Sequence, residues 1–127
     1  MNKAINSPKA PAAIGPYSQA ILAGNTLYIS GQIPIDRETG AFAGDEIKAQ
    51  TKQALTNIGY ILKEAGMDYC DVVKTTVLLK DIRDFAAMNE VYASFFTEPF
   101  PARAAFEVVN LPKGALVEIE AVAVKQD

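Results

Sequence analysis

An amphipathic stretch in the middle of the sequence constrains the fold more strongly than any other feature. Its apolar side chains recur at the spacing of one helical face; they are Ile47, Leu55, Ile58, Ile61 and Leu62, with Thr51 and Ala54 filling the same stripe. Asp45 and Glu46 precede it, where the free N–H groups and dipole of a helix favour negative charge. Gly66 follows it and suits a C-terminal cap. The pattern predicts a helix with one face buried against a second layer.

Short segments rich in β-branched and other apolar residues lie on both sides of this helix and predict strands. The predicted strands cover residues 17–23, 27–33, 72–79, 102–109 and 116–125. Gly24-Asn25 joins the first two as a hairpin turn. Pro8, Pro11 and Pro16 predict an irregular or edge-like first segment, because each removes a backbone donor.

A second amphipathic helix is expected between the third and fourth of these strands. Asp84 suits its beginning, and Pro99 and Pro101 are expected to end it. Its apolar face consists of Phe85, Met88, Tyr92 and Phe95. The order β-β-α-β-α-β-β predicts an α+β fold, a small mixed β-sheet with two helices packed on one face. Residues 1–127 are expected to form one domain.

The residue composition excludes several kinds of catalytic site. The chain has no histidine, and therefore neither a Ser-His-Asp triad nor an HExxH zinc site. Its single cysteine excludes an intrachain disulfide and a CxxC motif. A GxGxxG fingerprint is missing as well, so we expect no metal and no cofactor. Any catalysis must use carboxylates, Arg or Lys, hydroxyls and backbone groups.

Charge and hydropathy indicate where the protein acts. The formal net charge is −3, without the basic stretch that nucleic-acid binding normally requires. No apolar run approaches the ~20 residues of a membrane span, and the first residues lack the apolar segment of a signal peptide. We therefore expect a cytoplasmic protein that binds neither membrane nor nucleic acid.

Side chains alternate across the last predicted strand and give it two different faces. The face that fits beneath the helices consists of Val117, Ile119, Ala121 and Ala123. The opposite face consists of Glu118, Glu120, Val122 and Val124. Two helices can cover only one side of a sheet, so apolar side chains on the other side predict a homo-oligomer built on the sheet.

The predicted strand 102–109 carries an arginine beside small neighbours. Its expected core-facing residues are Phe106 and Val108, and the residues of the other face are Arg103, Ala105 and Glu107. An arginine with room in front of it can hold a carboxylate through two parallel N–H···O bonds. Residue type alone favours a plainer interpretation, in which Arg103 pairs with Glu107 or Glu118.

Two other pairs of residues also allow two interpretations. Glu118 and Glu120, roughly 6.5–7 Å apart on one strand, can act as a base and its partner or as solvated surface charges. Ser30 and Gly31 end the second strand, where a glycine either lets a ligand approach backbone N–H groups or simply forms a bulge.

Longer motifs run through nearly the whole sequence. They are AAIGPYSQA (12–20), ISGQIP (29–34), NEVY (89–92) with Phe95-Phe96, FPAR (100–103) and VEIEA (117–121). In this order and spacing the sequence resembles the RidA family, also called YjgF and long labelled L-PSP endoribonuclease. The resemblance implies a chorismate-mutase-like fold and a homotrimer with a site in each of three clefts between subunits.

The resemblance also implies an activity. Members of the deaminase branch hydrolyse reactive 2-imino acids, such as 2-iminopropanoate and 2-iminobutanoate, to 2-oxo acids and ammonia without a cofactor. These imines arise when pyridoxal-phosphate dehydratases act on serine or threonine, which makes such dehydratases the implied functional partners.

Site residues follow from the same resemblance. Arg103 matches the arginine that holds the substrate carboxylate, and Glu120 matches the acidic residue that positions or activates the attacking water. The residues implied to line the cleft and bind substrate are Tyr17, Ser30, Gly31, Asn89 and Ala105. The family usually has Arg-x-Cys here, so Ala105 keeps a backbone N–H but supplies no thiol.

Three other functions remain open from the sequence, one of them holdase-like binding of unfolded chains, which needs exposed apolar surface. A non-catalytic trimer can use Arg103 to bind 2-oxo or imino acids as a sensor. Single-strand RNA cleavage is the family's older label, but an acidic chain without histidine lacks the residues that such cleavage commonly uses.

Overall fold

Two helices lie against one face of a six-stranded sheet in the computed structural model, which describes residues 1–126. The strands are β1 (Lys3–Ile5), β2 (Ala20–Ala23), β3 (Thr26–Gln32), β4 (Ile35–Asp36), β5 (Ala41–Phe42), β6 (Val72–Leu79), β7 (Ala102–Glu107) and β8 (Val117–Val124). The helices are α1 (Ile47–Glu64) and α2 (Phe85–Ala93). The expected α+β class is therefore confirmed.

The sheet is mixed, with the strand order β1-β2-β3-β8-β6-β7. Neighbouring strands are antiparallel except β6 and β7, which are parallel. β7 therefore forms one edge of the sheet, while β4 and β5 pair in a separate hairpin. The structure adds β1 and this hairpin to the predicted order, because elements of two or three residues leave no periodic pattern in a sequence.

The flanking residues of α1 define its ends as predicted. The Glu46 carboxylate caps the first turn by accepting hydrogen bonds from the N–H groups of Lys48 (3.1 Å) and Ala49 (2.7 Å). At the other end Gly66 adopts a φ of 71°, a left-handed conformation that ends the helix at little steric cost.

One face of β8 forms the floor of the core, as its alternation predicts. The side chains of this face are at most 3% exposed; they are Val117, Ile119, Ala121 and Ala123. The stripe on α1 that packs in the same core is equally buried and includes Leu55, Ile58, Ile61 and Leu62. Each fully buried aliphatic side chain of this size contributes about 1.5–3 kcal/mol, so this layer holds α1 on the sheet.

The prediction of a strand over residues 17–23 is wrong at its N-terminal end. β2 begins at Ala20, and Tyr17 lies in the loop before it. The Tyr17 N–H donates to the carbonyl of Gly15 at 2.8 Å, which closes a tight turn around Pro16. A chain turned in this way cannot pair as an extended strand.

The predicted end of α2 is also wrong, because the helix stops at Ala93 instead of continuing toward Pro99. The Ser94 hydroxyl donates to a carbonyl of the last turn at 2.6 Å. The chain then turns back, and the Phe96 ring packs on the Tyr92 ring with 4.7 Å between their centroids. Burial of Phe96 therefore ends the helix before proline can.

The predicted orientation of β7 is wrong as well. Its register pairs Arg103 with Thr75 and Ala105 with Val77 of β6. Thr75 and Val77 are buried beneath the helices, so Arg103 and Ala105 project toward the helices. Phe106 projects to the open face, where it is 47% exposed. β7 carries small residues on both faces, so its sequence shows no clear alternation of apolar and polar side chains. Its pairing with β6 therefore determines which face is buried.

Asn57 joins α1 to the connection between β3 and β4. It is fully buried, and its Nδ2 donates to the carbonyls of Ile33 (3.2 Å) and Ile35 (3.0 Å). We expect Asn57→Ala to lower the free energy of unfolding by about 1–3 kcal/mol, because both carbonyls lose their donor. Chemical denaturation measures this loss. Thr56→Ala, a change at the adjacent half-buried position whose hydroxyl bonds within its own helix, should shift stability by less than about 0.5 kcal/mol; equal losses would contradict the assignment.

Candidate active site

A cavity of about 550 Å³ opens beside the bulged end of β3. Four of the predicted site residues line it: Tyr17, Ser30, Gly31 and Glu120. Glu118 lines it too. Glu118 and Glu120 alternate with buried residues of β8, so the cavity lies on the face of the sheet that the helices leave open.

Ser30 fastens the loop that carries Tyr17 to the end of β3. Its hydroxyl donates to the carbonyl of Ser18 at 2.6 Å, and its N–H donates to the carbonyl of Gln19 at 2.9 Å. The Tyr17 ring, 53% exposed, is thereby held at the cavity wall. Ser30 has a structural part in the site, in addition to the lining position that the sequence predicts.

Gln19 is a positioning residue of this loop to which the sequence analysis gave no role. It is 3% exposed, and its Oε1 accepts from the Ser7 N–H at 2.7 Å. Its Nε2 donates to the carbonyl of Pro11 at 2.9 Å. A buried amide that satisfies several backbone groups fixes the path of the loop. The only signal in the sequence is its place in the GPYSQA motif.

Gly31 lies where the register of β3 against β8 shifts, between Ile29 and Gln32. The predicted bulge is therefore present. A Cβ atom at Gly31 would overlap the Glu118 carboxylate, so this position accommodates a neighbouring acidic side chain as well as a bend in the strand.

The two carboxylates in the cavity differ in their surroundings. Glu120 is exposed, whereas Glu118 is about half-buried. Burial raises the pKa of Glu118 above its ordinary value, and the negative charge of Glu120 raises it further. Neither glutamate forms an ion pair with a residue between 1 and 126.

Arg103 and Asn89 lie in a different cavity, of about 390 Å³, at the β7 edge. The Arg103 Nη1 donates to the Asn89 Oδ1 at 2.6 Å. Within residues 1–126, Arg103 pairs with no carboxylate, so the plainer interpretation of a pair with Glu107 or Glu118 is wrong. Glu107 instead accepts a hydrogen bond from the backbone of Ile82 at 2.9 Å.

Ala105 lies on the free edge of the sheet. The N–H of Val108 donates to the carbonyl of Leu79 on β6 at 2.8 Å. Because backbone groups alternate in direction along a strand, the N–H of Ala105 points away from β6. It can therefore donate to a ligand at this edge, and the backbone contact itself stays a prediction.

Arg103 and Glu120 lie on opposite faces of the sheet of one chain. Glu120 and Ala104 both pair with Thr76, which places their backbones about 9.5 Å apart, two strand spacings. Ala104 shares the open face with Glu120, whereas Arg103 points to the helix side. One small molecule cannot contact both side chains of the same chain.

The described part of the chain holds neither a metal-binding cluster nor a membrane-spanning helix. In residues 1–126 no three His, Cys, Asp or Glu side chains are grouped to hold a metal ion. No helix there is both long and apolar enough to cross a bilayer.

Known proteins are similar to this chain over nearly its full length. Residues 7–125 match the family model described as Endoribonuclease L-PSP. A 2-iminobutanoate/2-iminopropanoate deaminase of Capra hircus is 56% identical over 125 residues, 98% of this chain and 91% of that protein. The crystal structure of a putative endoribonuclease L-PSP from Entamoeba histolytica has a TM-score of 0.95 at 51% identity, covering 98% of this chain and all of that one.

A second similar structure contains a small ligand. It is E. coli TdcF with bound serine, which has a TM-score of 0.93 at 40% identity and covers 98% of this chain and 99% of that one. Fold and relatives define a class of small α+β proteins that includes 2-iminobutanoate/2-iminopropanoate deaminases. The chain belongs to the endoribonuclease L-PSP family. This is the family, also called RidA, that its sequence motifs resemble.

The raised pKa of Glu118 predicts how stability depends on pH. The folded state binds this proton more tightly than the unfolded state does, so stability is lost as the pH rises through the folded-state pKa. We expect Glu118→Gln to unfold at a higher temperature than wild type at pH 7, and the difference to vanish below the ordinary pKa of glutamate.

Thermal unfolding at several pH values measures this effect. The same exchange at exposed Glu38 removes one charge without relieving burial and should give no comparable gain at pH 7. Equal behaviour of the two variants would show that burial of Glu118 does not govern its titration.

Proposed function

We propose that this protein hydrolyses 2-imino acids, 2-iminopropanoate and 2-iminobutanoate among them, to 2-oxo acids and ammonia. The observation that carries the proposal is the Arg103 guanidinium, which faces a cavity without a carboxylate partner between residues 1 and 126. Relatives more than 50% identical carry the name of this deaminase, and the related TdcF structure contains serine, a small molecule with a carboxylate and an amine on the same carbon atom.

The proposed chemistry needs only groups that the chain supplies. Arg103 holds the substrate carboxylate through paired N–H···O bonds, and the Ala105 N–H is available beside it. Glu120 accepts a proton from water while the water oxygen adds to the imine carbon. That proton then passes to nitrogen and gives a carbinolamine. Glu120 next relays the hydroxyl proton to the same nitrogen, and the C–N bond breaks as the C=O bond forms and ammonia leaves. Imine and water thus give 2-oxo acid and ammonia.

The site requires two subunits, because Arg103 and Glu120 of one chain point to opposite faces. The open face of the sheet supports association through its exposed apolar side chains, Tyr28 at 54% and Phe106 at 47%. Val122 lies half-buried on the same face. We therefore propose a homotrimer in which Arg103 of one subunit meets the cavity of the next, with Tyr17, Ser30, Gly31 and Glu120 on one side and Arg103, Asn89 and Ala105 on the other.

The family model's description raises RNA cleavage as a second function. A net charge of −3 and the absence of histidine do not favour it.

Dehydratases that use pyridoxal phosphate release 2-imino acids from serine and threonine, so we propose that such enzymes supply the substrate.

Substitutions at the two charged residues separate catalysis from simple binding. We expect Arg103→Ala to lower kcat/KM by at least about a hundred-fold, because binding and orientation fail together. Glu120→Gln should lose turnover but still bind a 2-oxo acid, whereas a pure binding protein would be unaffected by it.

The assay couples a threonine dehydratase to this protein, with semicarbazide to trap free imine, and titration with 2-oxobutanoate reports binding. Arg83→Ala removes an exposed arginine that pairs with Asp81 and serves as the control. Unchanged turnover in Arg103→Ala would refute the site.

Mixed oligomers test whether subunits share the site. Arg103→Ala and Glu120→Gln are each expected to be inactive alone. The two variants are unfolded, mixed in equal amounts and refolded together. Each site takes one residue from each of two chains, so about a quarter of the sites should combine an intact Arg103 with an intact Glu120. Recovery of about a quarter of wild-type activity supports the shared site, and no recovery contradicts it.

A further inference from the structure

The guanidinium of Arg103 is held against two aromatic rings of α2. Its Cζ lies 4.8 Å from the centre of the Tyr92 ring and 5.4 Å from that of Phe85. Asn89, between them on the helix, accepts a hydrogen bond from Nη1. Cation–π contact and a charge-assisted hydrogen bond therefore restrain a side chain that is otherwise long and flexible.

Tyr92 is itself anchored from the sheet. Its hydroxyl and the Thr75 hydroxyl are 2.7 Å apart, and the two residues are 5% and 1% exposed. Thr75 is also the residue of β6 that pairs with Arg103 on β7. The ring is thus anchored at the same register position that carries the arginine.

The contacts leave one edge of the guanidinium available. Asn89 is the partner of Nη1, and the Arg103 side chain donates no other hydrogen bond within residues 1–126. The Nε and Nη2 groups form the edge that binds a carboxylate with two parallel bonds. Contact with the Tyr92 ring therefore restrains the direction in which this edge points.

We propose that Tyr92, anchored by Thr75, is a positioning residue that sets the orientation of Arg103 and so its selectivity for a carboxylate. The proposal rests on the proposed function for the identity of the ligand. Tyr92 acts through Arg103 and takes no part in proton transfer, because its hydroxyl is engaged by Thr75.

The test measures binding, so it does not require turnover. Isothermal titration gives the Kd of 2-oxobutanoate and of its neutral carboxamide for each variant. We expect Tyr92→Leu to weaken 2-oxobutanoate about ten- to thirty-fold through loss of the cation–π contact. The Kd of the carboxamide should change much less, so the ratio of the carboxamide Kd to the 2-oxobutanoate Kd falls. In turnover, KM should rise more than kcat falls.

Conservative variants isolate the hydroxyl contact. Tyr92→Phe and Thr75→Val should each raise the Kd of 2-oxobutanoate about three- to ten-fold, since each removes the same hydrogen bond. The double variant should be no weaker than either single one, because the two changes delete one interaction. Additive losses would show that Thr75 does not act through Tyr92.

Tyr69 is the matched control. Its hydroxyl donates to the carbonyl of Leu55 at 2.7 Å, and its ring packs edge-on against Phe96, 5.8 Å between centroids, without contacting Arg103. Tyr69→Phe and Tyr69→Leu should reduce stability. They should leave unchanged both the Kd of 2-oxobutanoate and the ratio of the carboxamide Kd to it. If the Tyr69 and Tyr92 variants weaken 2-oxobutanoate equally, Tyr92 has only a structural role and the proposal is overturned.

Arg103→Ala distinguishes failure of the proposed site from failure of the positioning role of Tyr92. If it does not weaken 2-oxobutanoate, the proposed site itself fails. If it does, and Tyr92→Leu does not, only the positioning role of Tyr92 fails.

Discussion

Coverage of only one face of the sheet by α1 and α2 is the constraint on which the rest of the structure depends. Burial of the β8 residues Val117 and Ile119 beneath the helices turns Glu118 and Glu120 to the other face. That face also exposes aromatic side chains, which water solvates poorly. The same constraint that builds the core therefore creates an acidic cavity beside a surface suited to association.

The elements with strong periodicity were predictable from the sequence because local chemistry determines them. The stripe of α1, its Glu46 cap and its Gly66 end agree with the structure, as do the two faces of β8. Each depends on side chains only a few residues apart. The grouping of Tyr17, Ser30, Gly31 and Glu120 was expected from the family resemblance instead, since these residues come from separate parts of the chain.

The features that were predicted wrongly are ones that tertiary contacts determine. The composition of β7 does not show which face is buried, and only its register against Thr75 and Val77 turns Arg103 toward α2. The end of α2 depends on the return of Phe96 to the core. The plainer interpretation of Arg103 as part of an ion pair is wrong because of tertiary packing too. Packing of α2 on the sheet brings Asn89 and Tyr92 into contact with Arg103.

The contact between Gly31 and Glu118 links two distant positions of the chain. A side chain at position 31 requires the carboxylate at position 118 to move, and a shorter residue at position 118 frees space for one at position 31. Natural variation at these positions is therefore expected to be correlated, and the volume of the ligand chamber should follow whichever combination a lineage has retained. Size selectivity can evolve here without any alteration of Arg103 or Glu120.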